Sequence, residues 1–405
     1  MHYRRFAAII AAGMILASAA SDAASAEGPR ARDLGVPFAG KPGANNAITD
    51  VAGVEVGYVS LISGDGKLER GKGPVRTGVT AVLPRGKTSR TPVYAGWETS
   101  NAAGEMTGTV WLEERGYFDG PVMITNTHSV GVVRDAVVGW LADVKWPGAW
   151  FTPVVAETYD GMLNDINGFH VKPEHALRAI QTAATGPVAE GNVGGGVGMQ
   201  CFGFKGGTGT ASRVVEMDGK TYTVGVLVQC NFGMRAWLRV AGAPVGEELA
   251  GKYLPETRGV KTAAATNTGV APGVAPGDGS IIVVMATDAP MLPHQLKRLA
   301  KRAAAGMGRM GDAGSNGSGD IFVAFSTANA NVQSVGGNVI SVETMPNDKL
   351  TVIFEAATQA TEEAITNVLV AAETLTGVDG YTIQRLPHAE LRAILKKYGR
   401  LAAAK

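Results

Sequence analysis

The chain has 405 residues, with 37 Lys plus Arg against 36 Asp plus Glu and only two cysteines. A balance this close to neutral offers no field to draw in nucleic acid or an anionic membrane, and two cysteines cannot build a disulfide scaffold. Glycine, at 55 residues, stands well above its usual share of about 7 per cent; without a collagen period this implies tight turns and closely approaching backbone.

The chain opens with His2, Arg4 and Arg5, followed by an apolar, Ala-rich run from Phe6 to Ala20 that ends in Ala24-Ser25-Ala26. The run is too short to span a membrane, and the small-x-small ending predicts a secretory signal peptide over residues 1–26, removed before Glu27. The expected location is therefore the periplasm. Loss of Arg4, Arg5 and Asp22 leaves 35 charges of each sign. No later apolar run is long and uninterrupted enough for a transmembrane helix, so a soluble mature chain of one large domain or two smaller ones is expected.

From Val51 to Pro153 short β-rich runs alternate with Gly and Pro turns: Val54–Val59, Gly78–Leu83, Pro92–Gly96 and Pro121–Thr125. Helices are predicted over Val130–Val144 and Glu174–Ala184, the latter entered through Pro173, which favours a layered α/β protein over an all-β one. Gly191–Gly198 and Phe202–Thr210 are dense in glycine, but neither ends in Gly-Lys-Ser/Thr, and no strand, Gly-x-Gly-x-x-Gly and helix follow in order. These glycines are read as sites of close packing rather than a phosphate cradle. Thr221–Cys230 reads as a buried strand closed by Asn231. Cys201 and Cys230 both lie in apolar, strand-like text and are read as buried free thiols, although an oxidising compartment would permit one bridge.

Lys261–Gly279 holds almost nothing that could be buried and predicts a flexible linker. Directly after it, Ser280–Thr287 is an apolar, β-branched run typical of a central strand. A helix follows over Pro293–Gly306, a glycine-rich loop over Gly308–Asp320, a strand over Ile321–Thr327, and helices over Thr361–Thr376, opened by Thr361-Glu362-Glu363, and Ala389–Tyr398.

A loop that ends in Gly279-Ser280 at the first residue of a core strand is an unusual place for a serine unless the bond before it is cut. The Ser280 hydroxyl could attack its own preceding carbonyl, with Gly279 adopting the strained backbone this needs. An N-to-O acyl shift and hydrolysis would leave a free α-amine on Ser280. With an ordinary pKa of about 7.7 to 8.0, that amine can serve as general base toward the same residue's hydroxyl. His128 could suggest a Ser-His pair, but an N-terminal serine needs no histidine. The six histidines lack metal-ligand spacing, so neither metal nor organic cofactor is implied.

Glu157-Thr158-Tyr159-Asp160, Gly191–Gly198, Phe204–Arg213, Gly279–Pro290 and Gly317-Ser318-Gly319-Asp320 resemble the signature blocks of one peptidase family, in order, over about Arg32–His388. It is the family of DmpA-type L-aminopeptidase/D-esterases and β-peptidyl aminopeptidases. The resemblance implies an αββα sandwich of the DmpA and ornithine acetyltransferase type, made as an inactive precursor. Self-cleavage would give an α chain, residues 27–279, and a β chain, residues 280–405, of one hydrolase domain, with four such protomers assembling.

On that resemblance Ser280 is the nucleophile, while Ser318 and Asp320 position its amine and help move its proton. Two apart on an extended segment, they project to one side. Some β-peptidyl aminopeptidases carry glutamate where Asp320 stands. Asn231 falls on the amide that stabilises the oxyanion, Tyr159 on a second donor to the acyl oxygen, and Glu157 on the carboxylate that pairs with the substrate's ammonium.

The implied activity is removal of N-terminal residues from short peptides, amides or esters through an acyl-enzyme. Tyr159, the Thr125-Asn126-Thr127-His128 block and Asp320 lean toward L-amino acid and D-alanyl substrates. The signal and the opening Gly28–Gly35 look more like the β-peptidyl enzymes, which predicts activity on peptides starting with β-alanine. Two rival readings are an acyltransferase on the same architecture, whose members use threonine where Ser280 stands, and a non-catalytic periplasmic binding protein with an intact backbone.

Overall fold

The computed structural model describes residues 28–256, 279–332 and 338–402. The expected signal segment 1–26, and all of the expected linker 261–279 except Gly279, lie outside them.

In chain order the strands are β1 (Glu55–Ser63), β2 (Val75–Leu83), β3 (Val93–Ala102), β4 (Tyr117–Phe118), β5 (Val122–Asn126), β6 (Val154–Thr158), β7 (Gln200–Cys201), β8 (Phe204–Lys205), β9 (Gly207–Met217), β10 (Lys220–Asn231), β11 (Gly279–Thr287), β12 (Ser318–Ser326), β13 (Leu375–Thr376) and β14 (Thr382–Ile383). The α-helices are α1 (Thr109–Arg115), α2 (Val130–Asp143), α3 (Pro173–Gln181), α4 (Val245–Glu248), α5 (Pro293–Ala300), α6 (Arg302–Arg309), α7 (Thr351–Ala371) and α8 (His388–Lys397).

Two sheets carry the fold. One has the order β1-β2-β5-β6, the other β4-β3-β12-β11-β10-β9. In the larger sheet β11 and β12 run parallel to each other, while β10 and β3 flank them antiparallel. Alternation along β11 shows why its residues are so apolar. Ile282, Val284 and Ala286 pack between the sheets with Val82, Ile124 and Ala156, whereas Ile281, Val283 and Met285 pack toward Leu296, Met307 and Ile365 of α5, α6 and α7. A strand covered on both faces has no polar face to show. Helices α2 and α3 cover the outside of the smaller sheet through Val133, Val137, Ala176 and Ile180. The order of layers is therefore helix, sheet, sheet, helix, as the resemblance implied.

Several boundaries differ from the sequence expectations. Strand β9 occupies text read as a glycine-rich stretch, and Gly209 shows why. A Cβ there would collide with the Ala364 carbonyl and the Val368 side chain, so its absence lets α7 lie on the sheet. The helix expected over 293–306 is two, α5 and α6, separated at Lys301. The loop expected to reach Asp320 ends at Ser318, where β12 begins. Helix α7 starts ten residues before the expected Thr361. The acidic pair there is interior text: Glu363 is wholly buried and accepts from Arg32 Nε at 2.6 Å, Arg213 Nη2 at 2.7 Å and Asn46 Nδ2 at 2.6 Å.

The cysteine expectation is overturned. Cys201 and Cys230 form a disulfide with Cα atoms 5.7 Å apart. Both are buried, as expected, but the β7–β8 hairpin folds back over the end of β10 and brings them within bridging range. The glycines of 194–198 likewise form a buried 3-10 turn. The Gly194 N–H donates to Ser60 Oγ at 2.9 Å and the Gly195 N–H to Thr80 Oγ1 at 3.1 Å, so neither is directed at a phosphate.

Candidate active site

Pairing within the larger sheet places the nucleophile candidate. Ser280, the second residue of β11, lies opposite Asn231 of β10 on one side and Gly319 of β12 on the other. Asn231 shares the face of Leu227, and Ser280 that of Ile282, so both side chains are directed toward the layer between the sheets. Both are nearly buried.

The Asn231 carboxamide is held at both ends. Its Oδ1 accepts from the Gln200 N–H at 2.8 Å, and its Nδ2 donates to the Tyr159 carbonyl at 2.9 Å. A second Nδ2 proton remains for another acceptor.

On the other side, Ser318 and Asp320 flank Gly319. Strand alternation assigns them to the face of Phe322 and Ala324, beneath Gly279, which pairs with Ser318. Their expected common orientation is observed: Ser318 Oγ donates to Asp320 Oδ1 at 2.5 Å. Burial pushes the Asp320 carboxyl up to about 7, helped by the Asp312 charge and opposed by the Ser318 hydrogen bond. The strand start is pinned from β3, where a bulge leaves Ser100 unpaired and sets Asn101 opposite Asp320. The Asn101 carboxamide donates to the Asn316 carbonyl at 2.8 Å and to the Ser318 carbonyl.

Gly279 opens β11 with no positive φ, and what demands glycine in the uncut strand is space. A Cβ there would stand 2.5 Å from the Asn231 carbonyl oxygen and 2.9 Å from Phe232 Cα.

Glu157, the penultimate residue of β6, lies beside Thr125 of β5 and is 4% exposed. Its Oε1 accepts from the Glu105 N–H at 3.0 Å and its Oε2 from Thr127 Oγ1 at 2.5 Å. Gly104 lies between it and Gly319 in a tight space: an added Cβ would be 3.1 Å from Glu157 Oε1 and 3.2 Å from Gly319 Cα. Burial raises the Glu157 carboxyl above its usual range, against the Thr127 and Glu105 hydrogen bonds and the nearby His128. Tyr159, next but one along the chain, is 44% exposed, and burial of the rest of its ring, with the Asp160 charge, raises its phenol.

The structure therefore brings Ser280, Asn231, Gly319 with its flanking Ser318 and Asp320, and Glu157 to one end of the sheets. Sequence reasoning missed Thr127, Asn101, Gln200 and Asp160. Thr127 stood beside the noted His128, and Asp160 stood in a quoted block without a role. Asp160 is wholly buried, and burial pushes its carboxyl up to about 7 against hydrogen bonds from Thr77, Asn164 and Asn126. Among the described residues no group of three or more His, Cys, Asp or Glu is arranged to hold a metal ion, and no helix is long and apolar enough to cross a membrane.

Several known proteins resemble this chain in sequence and fold. The beta-peptidyl aminopeptidase BapA of Sphingosinicella microcystinivorans is 93% identical over 405 residues, the full length of both chains. A namesake from Sphingosinicella xenopeptidilytica is 47% identical over 379 residues, 92% of each chain. Among solved structures, the L-aminopeptidase D-Ala-esterase/amidase of Ochrobactrum anthropi, described as a prototype serine aminopeptidase with a variant of the Ntn hydrolase fold, superposes with a TM-score of 0.82. It shares 48% identity over 92% of this chain and 100% of its own. A Burkholderia sp. beta-aminopeptidase gives 0.79 at 45% identity, covering 92% of this chain and 99% of its own. The model of peptidase family S58 matches residues 46–383. The fold is thus that Ntn hydrolase variant, and the chain belongs to peptidase family S58.

Proposed function

We propose that this chain is a secreted, self-processing serine aminopeptidase of the periplasm, acting on short peptides with an N-terminal β-amino acid. That it is an aminopeptidase, hydrolysing N-terminal residues from peptides or amides, follows from the family and its near-identical relative. The β-amino acid preference is supported by the names of the two relatives at 93% and 47% identity. L-amino acid and D-alanyl amides or esters, the substrates in the name of the Ochrobactrum enzyme, are the second class to test.

One observation carries the mechanism: Ser280 stands at a strand start between Asn231 and the Ser318-Gly319-Asp320 segment. In maturation the Ser280 hydroxyl attacks the Gly279 carbonyl carbon, the C–N bond breaks as the acyl group moves from nitrogen to oxygen, and water hydrolyses the ester. The products are an α chain ending at Gly279 and a β chain beginning with a free amine on Ser280.

In turnover that amine accepts the hydroxyl proton as oxygen attacks the substrate carbonyl. Asp320, hydrogen-bonded by Ser318, orients the amine and holds its charge as it becomes an ammonium. The free Nδ2 proton of Asn231 is donated to the oxyanion, an interaction whose loss typically costs about 100- to 1000-fold. Tyr159 Oη is a second donor from the solvent side. The leaving amine takes the proton, and water releases the acyl group by the same steps in reverse order. Glu157 pairs with the substrate ammonium. A blocked amine would leave that carboxylate buried and unpaired, which restricts the enzyme to free N-termini. Four processed protomers would form the working assembly.

Denaturing electrophoresis with N-terminal sequencing tests the proposal. The wild type should give two fragments, the smaller starting Ser-Ile-Ile-Val, and Ser280→Ala a single inactive chain. An intact wild-type chain that is nonetheless active would overturn self-processing. Parallel hydrolysis of β-alanine amide and D-alanine amide decides the substrate class.

A further inference from the structure

The β7–β8 hairpin lies in the glycine-rich text that the proposed reaction leaves unused. Its turn residues Phe202 and Gly203 have φ of 48° and 68°, the left-handed pair of a type I′ hairpin. Three successive hairpin residues meet three successive residues at the end of β10. The Gln200 N–H donates to Asn231 Oδ1 at 2.8 Å, Cys201 is bonded to Cys230, and the Phe202 N–H donates to the Phe232 carbonyl at 2.7 Å. At the hairpin base, the wholly buried Lys205 donates from Nζ to the carbonyls of Met199 at 3.0 Å and Gly206 at 2.8 Å. The Gly206 N–H also donates to Met199 O, at 2.8 Å.

Lys205 is an expensive way to close a hairpin. Among the described residues it has no carboxylate partner, and burial pulls its ammonium down to about 7. An apolar side chain would fill the space without desolvating a charge. What the ammonium adds is a charge-assisted hold on two carbonyls at once.

That hold matters because a carboxamide has a donor end and an acceptor end. Rotated by half a turn, Asn231 would present its oxygen to a developing oxyanion and repel it. The Gln200 N–H, which donates to Oδ1, opposes this together with the Tyr159 carbonyl, which accepts from Nδ2. The position of that N–H depends on the hairpin.

We propose that Cys201, Cys230 and Lys205 are positioning residues for the reaction. The disulfide and the ammonium fix the hairpin so that the Gln200 amide locks the Asn231 carboxamide with its donor end toward the acyl oxygen on Ser280. This inference rests on the reading of Asn231 as the oxyanion donor.

Double-mutant cycles test it. kcat and KM are measured for the wild type, the Cys201→Ala/Cys230→Ala pair and Lys205→Met, each with Asn231 and with Asn231→Ala. Rates are normalised to the fraction of chains bearing a Ser-Ile-Ile-Val terminus, so that slower maturation does not count as slower turnover. With Asn231 present, either change should lower kcat about tenfold or more at nearly constant KM, as expected for a group acting only in the transition state. In the Asn231→Ala background the same changes should leave kcat unaltered. Equal losses in both backgrounds, or no loss in either, would overturn the inference. If Asn231→Ala alone leaves kcat intact, the oxyanion reading itself fails, which is a distinguishable result. Lys205→Met carries the test by itself if the cysteine pair does not fold.

Discussion

Asn231 and Ser280 are direct partners across the antiparallel β10–β11 ladder, with both side chains directed between the sheets. The proposed oxyanion donor and nucleophile are thus set by strand register rather than by a loop. Asn231→Ala should lower kcat by about 100- to 1000-fold, with KM changed by no more than a few-fold. Asn231→Asp should be worse, because it places an acceptor where a donor is required. Steady-state kinetics on β-alanine amide checks both.

Burial holds the Asp320 carboxyl up near 7 in the intact chain. A carboxylate that takes the Ser280 hydroxyl proton during self-processing must be ionised, so on the proposal that Asp320 does this the rate of self-processing should rise with pH through about 7, and Asp320→Asn should abolish that rise. The stability effect has the opposite direction. Between about 4 and 7 the folded chain keeps a proton that the unfolded carboxyl has released. The site's contribution is therefore complete below the unfolded pKa and is lost as pH rises through about 7. Asp320→Asn should accordingly raise Tm at pH 8 relative to the wild type while leaving it nearly unchanged at pH 4. Time-resolved electrophoresis and thermal unfolding read the two effects.

Glu157 is buried and its acceptor bonds come from Thr127 and Glu105. Glu157→Gln removes the charge and keeps the shape. Truncating one side of a buried charged contact costs about 2 to 5 kcal/mol, so kcat/KM for free-amine substrates should fall roughly 30-fold or more. Discrimination against N-acetylated substrates should shrink at the same time.

At Gly279, an added methyl would press on the Asn231 carbonyl at 2.5 Å. Gly279→Ala should slow processing by about tenfold or more although the Ser280 hydroxyl itself is kept, because the β11 start must move away from its partners to admit the Cβ. N-terminal sequencing over a time course decides this. Processing at the wild-type rate would show that the strand end yields freely.

A stability prediction lies far from the site. Glu363 receives Arg32, Arg213 and Asn46. Burial works to raise its carboxyl, but the Arg32 hydrogen bonds and the Arg213 and Arg32 charges outweigh that and hold it below its usual range. Glu363→Gln should destabilise the fold by about 3 to 5 kcal/mol, because Arg213 is left buried without its counter-charge. Denaturant unfolding of the unprocessed Ser280→Ala chain measures this without interference from cleavage.

The legible parts of the fold were those where local pattern and tertiary role coincide. Strand β11 announces itself by β-branched residues on both faces, and α2 by an apolar run between turns. Strand β9 was hidden because its glycines answer to distant backbone, Gly209 to α7 and Gly207 to Gly191, which only the assembled fold brings near. Thr361-Glu362-Glu363 imitates a helix start, yet Glu363 is acidic for the sake of arginines about 150 and 330 residues away in sequence. In the site, Ser280 stood out where a linker meets a core strand, whereas Ser318 and Asp320 were assigned only through the family resemblance. The Gln200 amide could not be read, since a backbone N–H leaves no mark on residue identity. The disulfide was missed for a related reason: buried strand text looks alike whether a cysteine faces another or not.

The order β3-β12-β11-β10 gives the proposed cut an uneven consequence. The two middle strands belong to the C-terminal piece and the two outer ones to the N-terminal piece, so neither fragment owns the larger sheet complete. Folding must precede cleavage, as a one-chain event. After cleavage the way back is a two-body encounter between fragments that each expose half of an apolar layer. The mature protein should therefore show hysteresis: heat-denatured enzyme recovers poorly and more poorly on dilution, while the Ser280→Ala precursor refolds independently of concentration. Its working lifetime is set by how slowly it opens rather than by how well it reassembles.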